Sequence, residues 1–582
     1  MVEVRTPVDV FVDAVKKGGG ADLGVLTKEA GVELKSAEKW VKQLSDMLEV
    51  NYSINLMRQP NVKMKDDIVK KHAPAICLDI GGKQIDKYDI KVDGVPADVV
   101  VQDVKGDVMR TYCIGMPVLG EGTATLLTNV VRELAAKVST STEELSDPKK
   151  AGEIRRKFYE DAKKRILYEI PATKEQADIL AGIALHRVYG LGDLEMLLGD
   201  DRIEEICINS GGSPLIIYHR RHGWLKSNIV IPDEDDIFDY ASQIGRRVGK
   251  DITNLNPLMD ARLISGDRVM ASVFPISSQG NTITIRKFAR DPWTIVDFMS
   301  PEYNTMSPEI AAFLWLCIQY ELSIMVAGGT ASGKTSTLNS LCAFIPPGQR
   351  IVSIEDTREI QLPSHLMLNW IQLTTRDPNA DGLGGVSMLD LIVSSLRMRP
   401  DRVIVGEIRN RDEAEVLFEA MHTGHSVYST MHADTCMHVK RRVTEPPIQI
   451  PESELEALQV ILTQFRDRLH GIRRTFEIAE VLPGTTERKL ELRYLFRWRV
   501  KTDTFEAIEK SSRVFNDLNL YTGMTLKEMT QDLKEKQDVL KWLLANRINR
   551  MNDIGRVMNM YYTQKDELLR VVEGGGKIEG QT

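Results

Sequence analysis

The sequence predicts a multidomain α/β protein with a parallel-sheet core in its second half. Its 582 residues are too many for a single hydrophobic core, so several domains are expected. An apolar run, residues 324–327, predicts a buried strand that leads through a glycine-rich turn, residues 328–335, into a helix. Two later stretches, residues 350–356 and 400–409, each contain an apolar run followed by an acidic residue, as strands of a sheet between helices often do.

Composition limits the function classes. The chain has 75 basic and 83 acidic residues and a net charge of −8, so no partnership with nucleic acid or a strongly anionic membrane is expected. Its six cysteines are scattered and predict neither a zinc site nor a disulfide framework, which indicates a reduced, intracellular protein. The N-terminus lacks a signal-peptide design, and no segment is long and apolar enough to span a bilayer. We therefore expect a cytoplasmic protein.

Residues 1–62 predict a winged-helix-like module, because three short amphipathic helices are followed by an alternating strand, residues 48–56. The third helix offers only Lys35, Lys39 and Lys42 beside acidic neighbours, without a set of base-reading arginine or asparagine residues. Protein docking is therefore favoured over DNA binding, which remains the alternative.

Residues 63–138 predict an accessory α+β domain, with a β-hairpin around the Asp93-Gly94 turn and a helix at its end. Residues 139–173 are polar and charged, and predict a linker that runs into an exposed helix.

Residues 174–288 predict a second compact α+β domain in front of the core. It carries three arginines next to strand ends, Arg262, Arg268 and Arg286. On their own these residues are interpreted as solvated surface charges.

The core is expected at residues 289–500, and its glycine-rich turn has the pattern Gly-x-x-x-x-Gly-Lys-Thr of a phosphate-binding loop. Glycines let successive backbone N–H groups face a polyphosphate, and the N-terminus of the following helix adds partial positive charge. Lys334 would reach the β- and γ-phosphates of ATP, and the Thr335 hydroxyl would hold Mg²⁺. The expected nucleotide-binding residues are Gly328, Gly329, Thr330, Ala331, Ser332, Gly333, Lys334, Thr335 and Ser336.

Two acids and a histidine follow later strands of this core. Glu355 and Glu407 each end an apolar strand, and the second strand fits a Walker B element with Gly-Glu in place of the commoner Asp-Glu. One carboxylate would help to hold Mg²⁺ through water, while the other would orient or deprotonate the attacking water. His432 follows a strand at a position suited to a γ-phosphate sensor, although a lone histidine is more often a structural hydrogen-bonding residue.

The remainder, residues 501–571, predicts amphipathic helices, and residues 572–582 predict a disordered tail.

Four motifs in order resemble those of the type II/type IV secretion ATPase superfamily. They are the phosphate-binding loop, an Asp box at residues 354–359, the Walker B block at residues 399–409 and a His box at residues 424–433. The domain in front is also similar, through the stretches Ile-Glu-Glu-Ile-Cys-Ile-Asn from residue 203, Asp-Ala-Arg-Leu from residue 260 and Ile-Thr-Ile-Arg-Lys-Phe from residue 283.

The resemblance implies a RecA-like ATPase core preceded by a PAS-like α+β domain, with ATP and Mg²⁺ as cofactors and Thr335 and Glu407 at the metal. It implies catalytic roles for Lys334, Glu355, Glu407 and His432. Arg286 and Arg268, with Arg262 behind them, would approach the phosphates and stabilise developing negative charge. Which arginine acts within its own subunit stays open, as does the division of roles between Glu355 and Glu407.

The resemblance further implies a homo-hexameric ring that is peripheral to the cytoplasmic face of a membrane and pushes on a polytopic membrane platform protein. The stretch Tyr-Thr-Gly-Met-Thr from residue 521 and the pair Tyr561-Tyr562 are similar to archaeal pilus and archaellum ATPases. We therefore expect a motor for a type IV pilus-like filament or for protein secretion in an archaeon, with no nucleic-acid partner. The alternatives are an archaellum motor, a DNA-dependent conjugation-type motor, and a regulatory module that binds ATP without hydrolysing it.

Overall fold

The computed structural model describes residues 2–18, 21–51, 60–65, 81–136, 148–263, 265–288, 291–376, 378, 382–484 and 490–576. The chain divides into two compact units, Met1–Phe288 and Ala289–Thr582, and each contains a nine-stranded sheet. In the described part of the chain, no helix has the length and apolar character needed to cross a membrane.

The first unit combines short helices with mostly antiparallel strands. Its strands are β1 (Glu3–Val4), β2 (Leu48–Asn51), β3 (Asn61–Met64), β4 (Lys83–Val92), β5 (Val95–Asp103), β6 (Thr111–Gly115), β7 (Val118–Leu119), β8 (Ile203–Ile208), β9 (Pro214–His219), β10 (Gly223–Val230), β11 (Leu258–Arg262), β12 (Arg268–Ser272) and β13 (Thr282–Arg286). Its helices are α1 (Pro7–Gly18), α2 (Leu23–Ala30), α3 (Leu34–Gln43), α4 (Glu121–Ala135), α5 (Pro148–Glu169), α6 (Lys174–Val188), α7 (Leu194–Gly199) and α8 (Glu234–Val248).

The large sheet of this unit has the strand order β11-β12-β13-β8-β9-β10-β6-β5-β4. The predicted hairpin is confirmed, since β4 and β5 pair across Asp93 and Gly94, whose φ angles are 47° and 88°. Strand β6 pairs in parallel with β10, so the predicted accessory segment and the predicted domain at residues 174–288 share one sheet. The buried carboxylate of Asp200 fastens the junction, because it accepts hydrogen bonds from Tyr88 on β4 and Tyr112 on β6 at 2.7 and 2.8 Å.

The helices at the start of the chain share a second hydrophobic core in this unit. Helices α1, α2 and α3 and the antiparallel pair β2–β3 follow one another in the predicted winged-helix order, although residues 52–56 of the predicted strand lie outside the described residues. Helix α5 differs from the predicted exposed helix, because Phe158, Ala162 and Ile166 are buried in this core together with α4 and α6. These three residues recur every fourth position within a highly charged stretch, which makes the apolar stripe easy to overlook.

One expectation from composition is wrong. Cys113 on β6 is disulfide-bonded, whereas the scattered cysteines predicted no disulfide. Sequence spacing does not report which cysteines the fold brings within bonding distance. Among the described cysteines, Cys207, Cys317, Cys342 and Cys436 are free.

The second unit alternates strands and helices. Its strands are β14 (Ile324–Gly328), β15 (Ile351–Glu355), β16 (Trp370–Thr374), β17 (Arg402–Val405), β18 (Ser426–Met431), β19 (Val460–Asp467), β20 (Ile472–Leu482), β21 (Glu491–Arg499) and β22 (Thr504–Ala507). Its helices are α9 (Ile295–Met299), α10 (Pro308–Gln319), α11 (Lys334–Cys342), a 3₁₀ turn (Ser364–Asn369), α12 (Met388–Leu396), α13 (Arg411–His422), α14 (Cys436–Thr444), α15 (Glu452–Leu455), α16 (Arg513–Thr522), α17 (Leu526–Ala545), α18 (Met551–Thr563) and α19 (Lys565–Glu573).

The core sheet has the order β16-β15-β17-β18-β14-β19-β20-β21-β22. Its first six strands are parallel, and β20, β21 and β22 extend it antiparallel. Strands β14, β15 and β17 are buried along their whole length, as expected for a sheet with two hydrophobic cores on its faces. The predicted multidomain α/β fold is confirmed, but β22 carries the sheet past the predicted core boundary at residue 500.

The C-terminal helices enclose a charged pair beneath Trp315 of α10. Lys536 of α17 is completely buried and hydrogen-bonds the carboxylate of Asp532, which also accepts from the Tyr561 hydroxyl at 2.8 Å. Burial lowers the pKa of Lys536 to about 8. Its ammonium also lies 5.5 Å from the centre of the Trp315 ring, a cation–π contact.

Replacing Asp532 by alanine should destabilise the chain strongly, because the Lys536 ammonium would stay buried without its counter-charge. We expect a loss of about 3–5 kcal/mol in unfolding free energy, measured by urea denaturation with tryptophan fluorescence. The double variant Asp532→Ala/Lys536→Met should recover most of this loss, since neither charge remains.

The matched control is Asp553→Ala on α18, which breaks the exposed pair with Arg556 and should cost less than about 1 kcal/mol. A loss for Asp532→Ala no larger than that of Asp553→Ala would contradict the structural role of the buried pair.

Candidate active site

The phosphate-binding loop begins where β14 ends. Gly328 has a φ of 155°, and a Cβ atom there would lie 2.4 Å from Ser332 Oγ and 2.5 Å from the Gln464 carbonyl oxygen. Gly333 has a φ of 95° and caps α11. The Ser332 hydroxyl closes the turn by donating to the Gly329 carbonyl at 2.9 Å. Both glycines are therefore required by the backbone path.

The other predicted loop residues occupy the tip of the turn and the first turn of α11. Thr330 and Ala331 are exposed at the tip, and Thr335 and Ser336 are partly buried on α11. Ala331 has a φ of 57°, in the left-handed region. Backbone N–H groups at the start of a helix, next to such a turn, form a site suited to phosphate.

Lys334 lies folded over this loop. Its side chain is mostly buried, and Nζ donates to the Gly329 carbonyl at 3.1 Å. Nζ also lies 3.3 Å from Nδ1 and 3.4 Å from Nε2 of His432, which follows β18. The structure therefore brings together the predicted loop lysine and the predicted sensor histidine.

His432 links the loop to the Walker B acid, because its Nε2 lies 3.2 Å from Glu407 Oε1. Burial, together with the nearby Lys334 ammonium, lowers the pKa of His432. The imidazole is therefore neutral near pH 7. A neutral ring can donate from Nε2 to Glu407 while Nδ1 accepts from Lys334.

Arg409 continues the network and was not among the predicted site residues. Its Nε donates to Glu407 Oε2 at 3.0 Å, and its Nη1 bonds a carboxylate oxygen of Asp356. Asp356 also accepts from the Thr375 hydroxyl at 3.1 Å. The sequence signal was present, since Asp356 follows Glu355 directly and Arg409 stands two residues after Glu407, but pairing across neighbouring strands is visible only in the fold.

Glu355 occupies a different environment from Glu407. It ends β15 with 3% of its surface exposed, and its Oε1 accepts from the N–H groups of Glu359 and Ile360 at 2.8 and 3.0 Å. Burial raises the pKa of Glu355 to about 7. A carboxyl group with a pKa near the working pH can act as a proton acceptor.

The three predicted arginines belong to the first unit and form a row. Arg262 ends β11, Arg268 begins β12 and Arg286 ends β13, and the register places Arg262 opposite Arg268 and Arg268 opposite Arg286. Residues directly opposite each other in antiparallel strands share one face of the sheet. Arg268 also bonds both carboxylate oxygens of Asp260, at 3.2 and 2.5 Å. We call these residues the arginine row.

Comparison with known proteins identifies the family of the chain. The family described as "Type II/IV secretion system protein" matches residues 210–470. The uncharacterized protein MJ0900 of Methanocaldococcus jannaschii is 37% identical over 316 residues, which are 54% of this chain and 56% of MJ0900. The chain thus spans about half the length of that relative. The type IV secretion system protein PtlH of Bordetella pertussis is 31% identical over 287 residues, 46% of this chain and 83% of PtlH.

Among solved structures, the VirB11 ATPase from the Brucella suis type IV secretion system is 25% identical, covering 49% of this chain and 92% of that one. The TM-score is 0.25. On the family match and the relatives, the chain belongs to the type II/IV secretion ATPase superfamily, as its motifs predicted.

The raised pKa of Glu355 predicts a stability that falls as pH rises. Because its pKa moves from 4.5 to about 7, the folded chain keeps this proton where the unfolded chain has lost it. Glu355→Gln keeps an acceptor for the two N–H groups and cannot ionise. We therefore expect the unfolding free energy of Glu355→Gln, measured relative to that of wild type, to rise by about 2 kcal/mol between pH 5 and pH 8.

The measurement is urea denaturation of nucleotide-free protein at several pH values. The matched control is Glu415→Gln on α13, an exposed residue whose variant should follow the wild-type pH profile. A Glu355→Gln profile that runs parallel to wild type would contradict the raised pKa.

Proposed function

We propose that the chain is the ATP-hydrolysing subunit of a homo-hexameric motor that powers assembly of a type IV pilus-like filament or protein secretion in an archaeon. The observation that carries the proposal is the continuous network of Lys334, His432, Glu407, Arg409 and Asp356 beside the phosphate-binding loop. A module that only binds ATP has no need for acids held in place next to the phosphates. Hydrolysis is therefore favoured over a purely regulatory role.

The different environments of Glu355 and Glu407 suggest different roles for the two acids. Glu355, with its pKa near 7, is the proposed proton acceptor for the attacking water. Glu407 is held by His432 and Arg409 and is the proposed partner of the metal, together with the Thr335 hydroxyl. These oxygen donors suit Mg²⁺, whose charge would neutralise the phosphates.

Lys334 is the proposed ligand of the β- and γ-phosphates. Two of its partners, a backbone carbonyl and a neutral imidazole, attract an ammonium group less strongly than a phosphate does. The arginine row is the proposed further source of positive charge for the phosphates. The register places these three guanidinium groups at adjacent positions, and such groups can stabilise negative charge on phosphates.

The biological setting is proposed from the relatives. MJ0900 comes from an archaeon, and PtlH is named as a type IV secretion system protein, which together support an archaeal secretion or pilus motor. Such a motor would work at the cytoplasmic face of the membrane against a polytopic platform protein. An archaellum motor remains the alternative within the same class.

The structure disfavours the alternative of a DNA-dependent motor. On α3, the Lys39 ammonium lies 2.7 Å from a carboxylate oxygen of Glu169, and the Gln43 amide donates to the same carboxylate at 2.7 Å. Two polar side chains of the third helix in the winged-helix-like module are therefore bound to helix α5. These contacts make α3 an internal packing helix and disfavour a base-reading role.

Lys334→Ala should abolish ATP hydrolysis, because the phosphates lose their principal positive charge. Glu407→Gln should bind ATP with near wild-type affinity while turnover falls at least about 100-fold. Phosphate release and equilibrium ATP binding by the purified full chain measure the two effects. Normal turnover in Glu407→Gln would exclude its catalytic assignment, and Glu415→Gln serves as the matched surface control.

A hexamer of this 65.6 kDa chain has a mass of about 394 kDa, six times the mass of one subunit. Light scattering of the wild-type protein with a non-hydrolysable ATP analogue should give this value, because nucleotide bound near subunit boundaries favours ring closure. A monomeric or dimeric mass under saturating nucleotide would contradict the proposed ring.

A further inference from the structure

A hairpin beside the phosphate-binding loop carries a feature that the proposed reaction does not use. Strand β19 runs parallel to β14, with Gln464 opposite Gly328, where the loop begins. From there β19 continues for three more residues, Phe465 to Asp467, and β20 returns antiparallel. At roughly 3.3 Å per residue, the hairpin extends about 10 Å past the start of the loop.

Arg473, on the returning strand, contacts the loop itself. Its Nε donates to the Ala331 carbonyl oxygen at 3.1 Å. A Cβ atom placed on Gly333 would lie 3.7 Å from Arg473 Cδ, so the side chain passes next to the N-terminus of α11. The guanidinium group therefore lies at the exposed tip of the phosphate-binding loop.

A second arginine stands opposite the first. Arg466 on β19 is the register partner of Arg473, so both side chains leave the hairpin on the same face. The hairpin thus presents concentrated positive charge next to a loop built for phosphate.

The order of strands tells which end of a nucleotide would meet this hairpin. Lys334, His432 and Glu407, the proposed partners of the terminal phosphates and the metal, meet on the side of β14 that faces β18 and β17. The β19–β20 hairpin lies on the opposite side of β14. A nucleotide whose terminal phosphates point toward Glu407 therefore extends its nucleoside end toward Arg473.

We propose that Arg473 binds the nucleoside end of the nucleotide, at its ribose and base, and so holds ATP and ADP equally. This rests on the proposed ATP-binding function of the loop. A guanidinium fork suits this task, since it can donate to a ribose oxygen or a ring nitrogen and can also lie flat against a purine ring. Contact with the nucleoside end changes little during cleavage of the terminal phosphate, so it contributes uniform binding and not rate acceleration.

The test uses the full-length chain with Arg473→Ala and the matched control Arg468→Ala, an exposed arginine at the tip of the same hairpin. Displacement of a fluorescent ATP analogue gives the affinities for ATP, ADP and inorganic tripolyphosphate. We expect Arg473→Ala to weaken ATP and ADP by about tenfold or more, with tripolyphosphate unchanged within about twofold and kcat retained. Arg468→Ala should match wild type throughout.

Equal weakening of ATP and tripolyphosphate would overturn the proposal, because it would show that Arg473 only supports the loop through Ala331. Unchanged affinity for ATP and ADP would also overturn it. Arg473→Lys retains the charge without the fork and should give intermediate ATP affinity, which keeps the test valid if the alanine variant folds poorly. Failure of the wild-type chain to bind ATP would instead contradict the proposed function.

Discussion

The second unit depends on one close backbone approach, between Gly328 at the end of β14 and the carbonyl of Gln464 on β19. A side chain at position 328 would collide with that carbonyl and with Ser332 Oγ. The missing Cβ therefore lets β14 and β19 keep their parallel register while the chain turns into the loop. This contact positions both sides of the candidate site, because β19 leads into the hairpin that carries Arg473 and β14 leads into the loop that carries Lys334.

On the side of the candidate site that faces β18 and β17, acidic and basic groups form a continuous series. Lys334 is positive, His432 is neutral, Glu407 is negative, Arg409 is positive and Asp356 is negative, and each member lies within hydrogen-bonding distance of the next. Such a chain of partners satisfies every charged group without a nucleotide. Phosphates and a cation entering the site would exchange these internal partners for stronger ones, so binding reorganises the network and does not simply add to it.

The sequence was sufficient to predict the multidomain α/β fold, the phosphate-binding loop and the positions of Glu355, Glu407 and His432 at the ends of buried strands. These features are local, since each depends on an apolar run and the residues that follow it. The Arg409–Asp356 pair, the Arg473 contact and the arginine row depend on which strands become neighbours, and separations of 53 and 142 residues give no local signal. For the same reason, the sequence could not predict that the accessory segment and the domain at residues 174–288 share one sheet, joined at Asp200. It also could not predict that α5 is buried in the same core as α4 and α6.

The loop after Glu355 connects the candidate site with the end of the chain. Glu355 fixes the start of this loop by accepting from Glu359 and Ile360, and Asn339 of α11 accepts from the Gln361 N–H at 2.8 Å. Farther along, the Ser364 N–H donates to Asn552 of α18 at 2.9 Å.

Helix α18 is held at two points. A Cβ atom on Gly555 would lie 2.4 Å from Pro363 Cβ, so the helix touches the loop as closely as a glycine allows. Seven residues later, the Tyr562 hydroxyl donates to the Phe344 carbonyl at 2.6 Å, just past the end of α11. Helix α18 therefore contacts both the loop after Glu355 and the segment that follows α11. The C-terminal helices thus pack against elements that frame the candidate site, although their sequence carries no catalytic motif.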